Sequence, residues 1–186
     1  ITFTDFSKLT GGSAADLFLF GASGSVGGLI DGAGDADSAD YSAVTDAVSV
    51  TIGTSVTNIE TLTGDATNDT LVGADAVQTW NITGADDGDI GGTITFTDFS
   101  KLTGGTAADT FSVADGGSLT GVIDGAGDTD ILDVSGLTAA ETVNLQTSSS
   151  GTVAGFSNLE TFTGDATNDT LVGADAVQTW NITGAD

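Results

Sequence analysis

The chain has 186 residues, 39% of them hydrophobic, and a formal net charge of −25 from 27 acidic residues and two lysines. So acidic a chain lacks the basic footprint from which binding to nucleic acid or anionic membrane starts, and its compact state repels itself unless cations, salt or an elongated shape relieve the charge. Cysteine, histidine, methionine and proline are absent, which removes disulfides and every thiolate or imidazole site.

The acids are almost all aspartate. Glutamate stands only at 60, 141 and 160, leaving 27 − 3 = 24 aspartates. Aspartate bonds to nearby backbone and favours turns, whereas a helical protein would prefer glutamate. The acids are therefore expected in turns, with broad surface acidification in a saline habitat as the other source of such a charge. The 28 glycines argue against long helices.

In chain order, ITFTDFSKLTGG (residues 1–12) predicts a strand and a turn, and DLFLF (16–20) a strand. IDGAGD (30–35) is a turn, AVSVTI (47–52) a strand, VTNIETLTGDATNDTL (56–71) a strand–turn–strand unit, and TWNI (79–82) a strand before the turn ADDGDIGG (85–92). At Ile94 the text restarts. Residues 94–105 repeat 1–12, and 123–128 repeat 30–35, both at an offset of 93. GDATNDTLVGADAVQTWNITGAD (64–86) returns unchanged as 164–186, at an offset of 100. Seven residues thus enter the second copy between Asp133 and Asn158, inside LTAAETVNLQTSSSGTVAG, where a bulging loop is expected. The organisation is a first long repeat, 1–93, and a second, 94–186, carrying that insertion, both within one continuous fold. The chain starts and stops inside the pattern, so it is read as a segment of something longer; neither a signal peptide nor a membrane span is visible.

A finer frame lies within each repeat. FTDFSKLTGGSAADLF (3–18), VTNIETLTGDATNDTL (56–71), FTDFSKLTGGTAADTF (96–111) and FSNLETFTGDATNDTL (156–171) share apolar-x-x-apolar-x-x-apolar-Thr-Gly, then Asp, then an apolar residue two further on. A constant motif at unequal spacing suits stacked units with variable loops. The expected fold is all-β: a parallel β-solenoid (β-helix or β-roll) of degenerate tandem repeats, each layer placing its Leu, Phe or Val on that of the next, about 4.8 Å away. Tandem β-sandwiches are the alternative. At about 20 residues per coil the solenoid has roughly nine coils and a rod about 40 Å long.

GGSAADLFL (11–19) and GGTAADTFS (104–112) approach the nonapeptide G-G-x-G-x-D-x-U-x, with U a large apolar residue. With GDATNDTLVGADA, IDGAGDTDILD and FSNLETFTG, they make the chain resemble RTX-like β-roll proteins and, more closely, the degenerate repeats of giant bacterial surface proteins and adhesins. The resemblance implies calcium held between coils by turn carbonyls and by Asp16, Asp69, Asp109 and Asp169. The fourth position of the nonapeptide is Ala14, Ala107, Thr67 or Thr167 rather than Gly, and Gln78 takes the Asp position of GADAVQTWN, so isolated sites rather than a regular ladder are expected. The residues themselves offer a second calcium candidate. DGAGDADSAD places Asp31, Asp35, Asp37 and Asp40 within ten residues, and DGAGDTDILD places Asp124, Asp128, Asp130 and Asp133 likewise. Calcium takes six to eight oxygens, several of them carboxylate; strand parity would put 35 and 37 on one side. ADDGDIGG is a weaker third candidate. Beside each stands the alternative that aspartate before glycine closes a turn with no ion. If calcium binds, chelation lowers the melting temperature.

Trp80 and Trp180 occupy apolar strand positions and are expected in the core. Lys8 and Lys101 recur at one place in the repeat, as a link to a neighbouring coil's acid or as solvated residues. Asn68, Asn81, Asn168 and Asn181 each begin N-x-T, a glycosylation acceptor only in a host with the machinery. Catalysis finds little support, because no histidine or arginine is present to tune the acids. The functional expectation is a non-enzymatic structural segment of a secreted or surface-bound extracellular protein, as filament, matrix, surface layer or adhesin stalk, whose partners are further copies of itself end to end or side by side. The alternative is an adhesin module binding a glycan or a surface through a patch near Gln146–Gly155.

Overall fold

The computed structural model describes residues 5–166 and 168–180. Residues 1–4, Thr167 and Asn181, named above, lie outside the described residues. The fold is all-β, with no helix among the described residues, so none there is long and apolar enough to cross a membrane. The first repeat forms β1 (Leu9–Thr10), β2 (Leu17–Leu19), β3 (Ile30–Asp31), β4 (Ser38–Asp40), β5 (Ser49–Thr51), β6 (Val56–Thr57), β7 (Thr61–Thr63), β8 (Thr70–Val72), β9 (Thr79–Gly84) and β10 (Asp87–Ile90). The second forms β11 (Ile94–Thr97), β12 (Lys101–Thr103), β13 (Thr110–Ala114), β14 (Leu119–Asp124), β15 (Ile131–Gly136), β16 (Thr142–Asn144), β17 (Val153–Ser157), β18 (Thr161–Thr163) and β19 (Thr170–Val172).

The strands alternate as the letters do. In TLT, TLV and KLT the central leucine is buried and its neighbours are half-buried; threonine, β-branched and polar, suits the outer side of a pleated strand. Of the fifteen strand pairings among the described residues, only β9–β10 and β10–β11 are antiparallel. That balance runs against the antiparallel pairing tandem sandwiches require.

A nine-stranded sheet runs β18-β15-β13-β9-β10-β11-β7-β4-β2, drawing on both long repeats. A five-stranded sheet runs β17-β14-β12-β8-β5, a three-stranded one β1-β3-β6, and β16 pairs with β19. Register puts like on like. In the five-stranded sheet Val50 pairs with Leu71, Leu71 with Leu102, Leu102 with Ile123 and Ile123 with Phe156. In the nine-stranded sheet Phe18 pairs with Ala39, Ala39 with Leu62 and Leu62 with Phe96. Trp80, Phe111, Leu132 and Phe162 form the other row of that sheet. Trp80 stacks on Phe111 with centroids 5.5 Å apart and meets Phe96 at 6.1 Å. Trp80, Leu62, Leu71, Leu102, Phe96 and Phe111 are fully buried. The ends differ. Trp180, expected in the core, is 54% exposed, and Leu171 is 43% exposed, because no further strand among the described residues covers them.

The stretch that carries the insertion turns at residues 145–148, with Gln146 and Thr147 exposed, and rejoins the sheet at β17. Its residues lengthen the run into β17, where Leu119 pairs with Val153 and Ile123 with Phe156. Asn144 and Ser149 close an antiparallel bridge, and the Phe156 N–H donates to the Ser148 carbonyl at 2.8 Å.

Candidate functional site

The repeated aspartate follows from local geometry. A nine-residue link joins the central apolar residue of one strand to that of another: Leu9 to Phe18, Leu62 to Leu71, Leu102 to Phe111. The acid sits two residues before the second apolar position and folds back over the turn. Gly12 N–H donates to Asp16 Oδ2 at 2.6 Å, Asp65 N–H to Asp69 Oδ2 at 2.9 Å, Gly105 N–H to Asp109 Oδ2 at 2.8 Å and Asp165 N–H to Asp169 Oδ2 at 2.7 Å. Gly104 shows why the link needs glycine: a Cβ there would lie 2.5 Å from Asp109 Oδ2 and 2.6 Å from the Gly125 carbonyl. The side chain closes its own turn while the next strand's carbonyl presses on the same Cα.

The second carboxylate oxygen reaches the next unit. Asp16 N–H donates to Asp37 Oδ1 at 2.7 Å, and Asp37 N–H to Glu60 Oε2 at 2.8 Å. Across the repeat boundary Gln78 N–H donates to Asp109 Oδ1 at 2.8 Å, and within the second repeat Asp109 N–H donates to Asp130 Oδ1 at 2.7 Å and Asp130 N–H to Glu160 Oε2 at 3.0 Å. Asp69 Oδ1 and Asp169 Oδ1 accept from Val48 and Glu141 N–H, each at 2.8 Å. Carboxylates thus tie unit to unit through backbone N–H groups, and charge-assisted bonds of this kind are among the stronger ones. Sequence reasoning missed Glu60 and Glu160 as members of these ladders. The signal was present, since each stands two residues before an apolar strand centre, Leu62 and Phe162, as the aspartates do.

The two DGAGD clusters do not gather their acids. Asp37 and Asp130 are fully buried, while Asp35 and Asp128 are exposed, so the expected shared side of 35 and 37 is not what the chain adopts. The turn carries Ala33, Asp35, Ala126 and Asp128 at φ of +77°, +72°, +73° and +71°. These left-handed residues interrupt strand parity. Asp31 Oδ1 accepts from Ala33 N–H at 3.1 Å and Asn58 Nδ2 at 2.9 Å; Asp124 Oδ1 accepts from Ala126 N–H at 3.2 Å and Asn158 Nδ2 at 2.7 Å. Asp40 and Asp133 each accept from the N–H two residues on, at 2.9 and 3.0 Å. Asp35 and Asp128 accept only from the next N–H, both at 3.0 Å. Because Ala33 and Ala126 give their N–H groups to Asp31 and Asp124, the Oδ2 atoms of Asp37 and Asp130 stay buried without a partner. A side chain at Gly32 or Gly125 would collide with that Oδ2 and with the Asn58 or Asn158 carbonyl. Around each orphan, one carboxylate oxygen and one carbonyl crowd the glycine. Among the described residues no three acidic side chains converge on a common point. ADDGDIGG behaves likewise: Asp86 accepts from Thr120 N–H and Oγ1, both at 2.7 Å, Asp87 from Asp98 N–H at 3.1 Å, and Asp89 from Asn81 Nδ2 and Gly92 N–H, both at 2.7 Å.

Electrostatics separates stacked from unstacked acids. Burial pushes the Asp109 carboxyl above the usual aspartate range against the pull of the Gly105 and Gln78 N–H groups. Burial also raises Asp130, where the charges of Asp109, Glu160 and Asp128 add to it. Asp98 is raised by burial and by the charges of Asp87, Asp86 and Asp65. Asp169 makes the same two kinds of bond as Asp109, and the N–H groups of Glu141 and Asp165 hold it below the usual range. Asp109 is buried and Asp169 half-buried. Lys8 is exposed and Lys101 half-buried.

Comparison of the chain with protein-family models, with curated proteins and with solved structures gives no match.

Proposed function

We propose that the chain is a parallel β-solenoid that serves as a structural segment of a long extracellular surface protein or filament. The observation that carries this reading is the register: Val50, Leu71, Leu102, Ile123 and Phe156 pair in one unbroken parallel row across both long repeats. Rows of this kind extend by adding units without changing their contacts, which is what a stalk or fibre needs. The carboxylate–amide ladders support it further, since each unit supplies an acceptor to the next.

Calcium enters the proposal as a counter-ion for the −25 charge, not as an ion caged by Asp69, Asp109 and Asp169, each of whose two carboxylate oxygens accepts a backbone N–H. The glycan-binding alternative gains nothing from aromatic stacking at Gln146–Gly155, since the stretch carries no aromatic residue. Electron microscopy of the native assembly, with calcium and with chelator, tests the reading. Rods or filaments in both conditions are expected. Isolated globular particles would overturn the structural role.

A further inference from the structure

The sequence holds four Asp–Gly steps, at 31–32, 87–88, 115–116 and 124–125. At such a step the glycine amide nitrogen is able to attack the aspartate Cγ, because glycine puts no side chain in the way of ring closure. Three of the four hold their glycine fast. The Gly32 and Gly125 N–H groups donate to the Thr57 and Ser157 carbonyls, each at 3.0 Å, and a Cβ on either glycine would collide with the carbonyl of Asn58 or Asn158. Gly88 is buried in β10 between β9 and β11, and a Cβ there would collide with the Asn81 carbonyl and the Phe96 ring.

Asp115–Gly116 is different. Both residues are exposed. The Gly117 N–H donates to the Ala114 carbonyl at 2.8 Å, so the pair forms the corner of a β-turn, and Gly116 takes a φ of +85°. Its N–H has no acceptor among the described residues, and nothing lies within 4 Å of the place its Cβ would take. Asp115 Oδ1 accepts from Thr138 N–H at 2.7 Å and from Thr138 Oγ1 at 3.1 Å. Those donors face an oxygen on which negative charge builds when Cγ becomes tetrahedral. The first repeat has Ala22 and Ser23 at the matching positions, so the step belongs to the second repeat alone.

We infer that Asp115–Gly116 is a site of backbone self-modification, where the chain isomerises to isoaspartate through a cyclic succinimide. The Gly116 nitrogen bonds to Cγ of the protonated Asp115 carboxyl, the Cγ–Oδ2 bond breaks, and Oδ2 leaves as water with the N–H proton. Water then adds to the ring carbonyl of the original peptide bond, and its C–N bond breaks. One water leaves and one returns, so no other reactant is needed. The backbone then runs through Cβ and Cγ, and the freed carboxylate sits on Cα, away from its present place against Thr138.

The test holds wild-type protein folded at mildly acidic pH, with a parallel sample unfolded in urea. Isoaspartate at each step is read by electron-transfer fragmentation of its peptides. Unfolded, the four steps react at comparable rates. Folded, residue 115 leads each of the other three by about tenfold or more, which takes ~1.4 kcal/mol of extra barrier at the others. Folded protein that reacts equally at all four steps, or faster at 31, 87 or 124, overturns the inference. So does a folded residue 115 that stays intact while the unfolded chain isomerises there. Asp115→Asn closes the same ring faster, by losing ammonia, and a lack of mass gain at that residue in the folded variant is equally contrary.

Discussion

Asp130→Asn separates a hydrogen-bonded ladder from a cation site. Asp130 is fully buried; its Oδ1 accepts from Asp109 N–H at 2.7 Å and its Oδ2 has no partner. A buried orphan acceptor costs about 1–3 kcal/mol. Asparagine keeps the Oδ1 acceptor and removes the charge, while a neutral bond in place of a charge-assisted one gives back about 1 kcal/mol. The net gain at pH 7 is about 0–2 kcal/mol, or up to roughly 8 °C in Tm for a domain of this size. The gain depends on pH in a fixed direction. Burial raises the folded pKa of Asp130 above its unfolded value, so the folded state takes up the proton first. Between the two values wild-type stability falls as pH rises. Below the unfolded value, about 3.9, both states are protonated and the charge penalty disappears. Thermal melts of wild type and variant, followed by circular dichroism from pH 4 to pH 8, should diverge as pH rises. If Asp130→Asn lowers Tm at pH 7, and does so more in calcium than in chelator, the carboxylate charge is needed and the hydrogen-bonded account of the ladder is wrong.

Gly104→Ala should lower stability by about 2–3 kcal/mol in a urea titration, the upper range for overpacking, because its Cβ meets Asp109 Oδ2 and the Gly125 carbonyl. Gly27→Ala, which meets nothing within 4 Å, should change it by less than about 0.5 kcal/mol. Leu102→Ala removes a fully buried row member and should cost about 2–5 kcal/mol in the same assay. Wild-type Tm should rise as pH falls from 7 toward the ordinary aspartate value, about 3.9, since burial raises Asp98, Asp109 and Asp130 alike; a Tm that only falls on that approach would contradict the placement of these acids. Chelator should leave the far-ultraviolet circular dichroism spectrum unchanged, and calcium and magnesium at equal concentration should raise Tm equally.

The all-β class and the repeat frame were legible because apolar–Thr alternation and the Asp–Gly turns are local properties of the chain. Leu62 and Leu102 announce themselves as equivalent by the shared Leu-Thr-Gly frame with Asp seven residues on. The fate of each acid was not legible. Asp35 and Asp37 are two residues apart, yet left-handed Asp35 sends them to different sides. Letters alone do not show that Ala33 N–H is spent on Asp31, and that choice is what leaves Asp37 Oδ2 orphaned. Trp80 and Trp180 share all their sequence neighbours and differ in burial, because burial is decided by the strand stacked above.

Methyl and Hα nuclear Overhauser contacts along the row Val50–Leu71–Leu102–Ile123–Phe156 test the central claim most directly. Methyl contacts between successive members, in that order and without close cross-strand Hα–Hα pairs, are what parallel stacking predicts. Strong Hα–Hα contacts between these strands, the mark of antiparallel pairing, would contradict it.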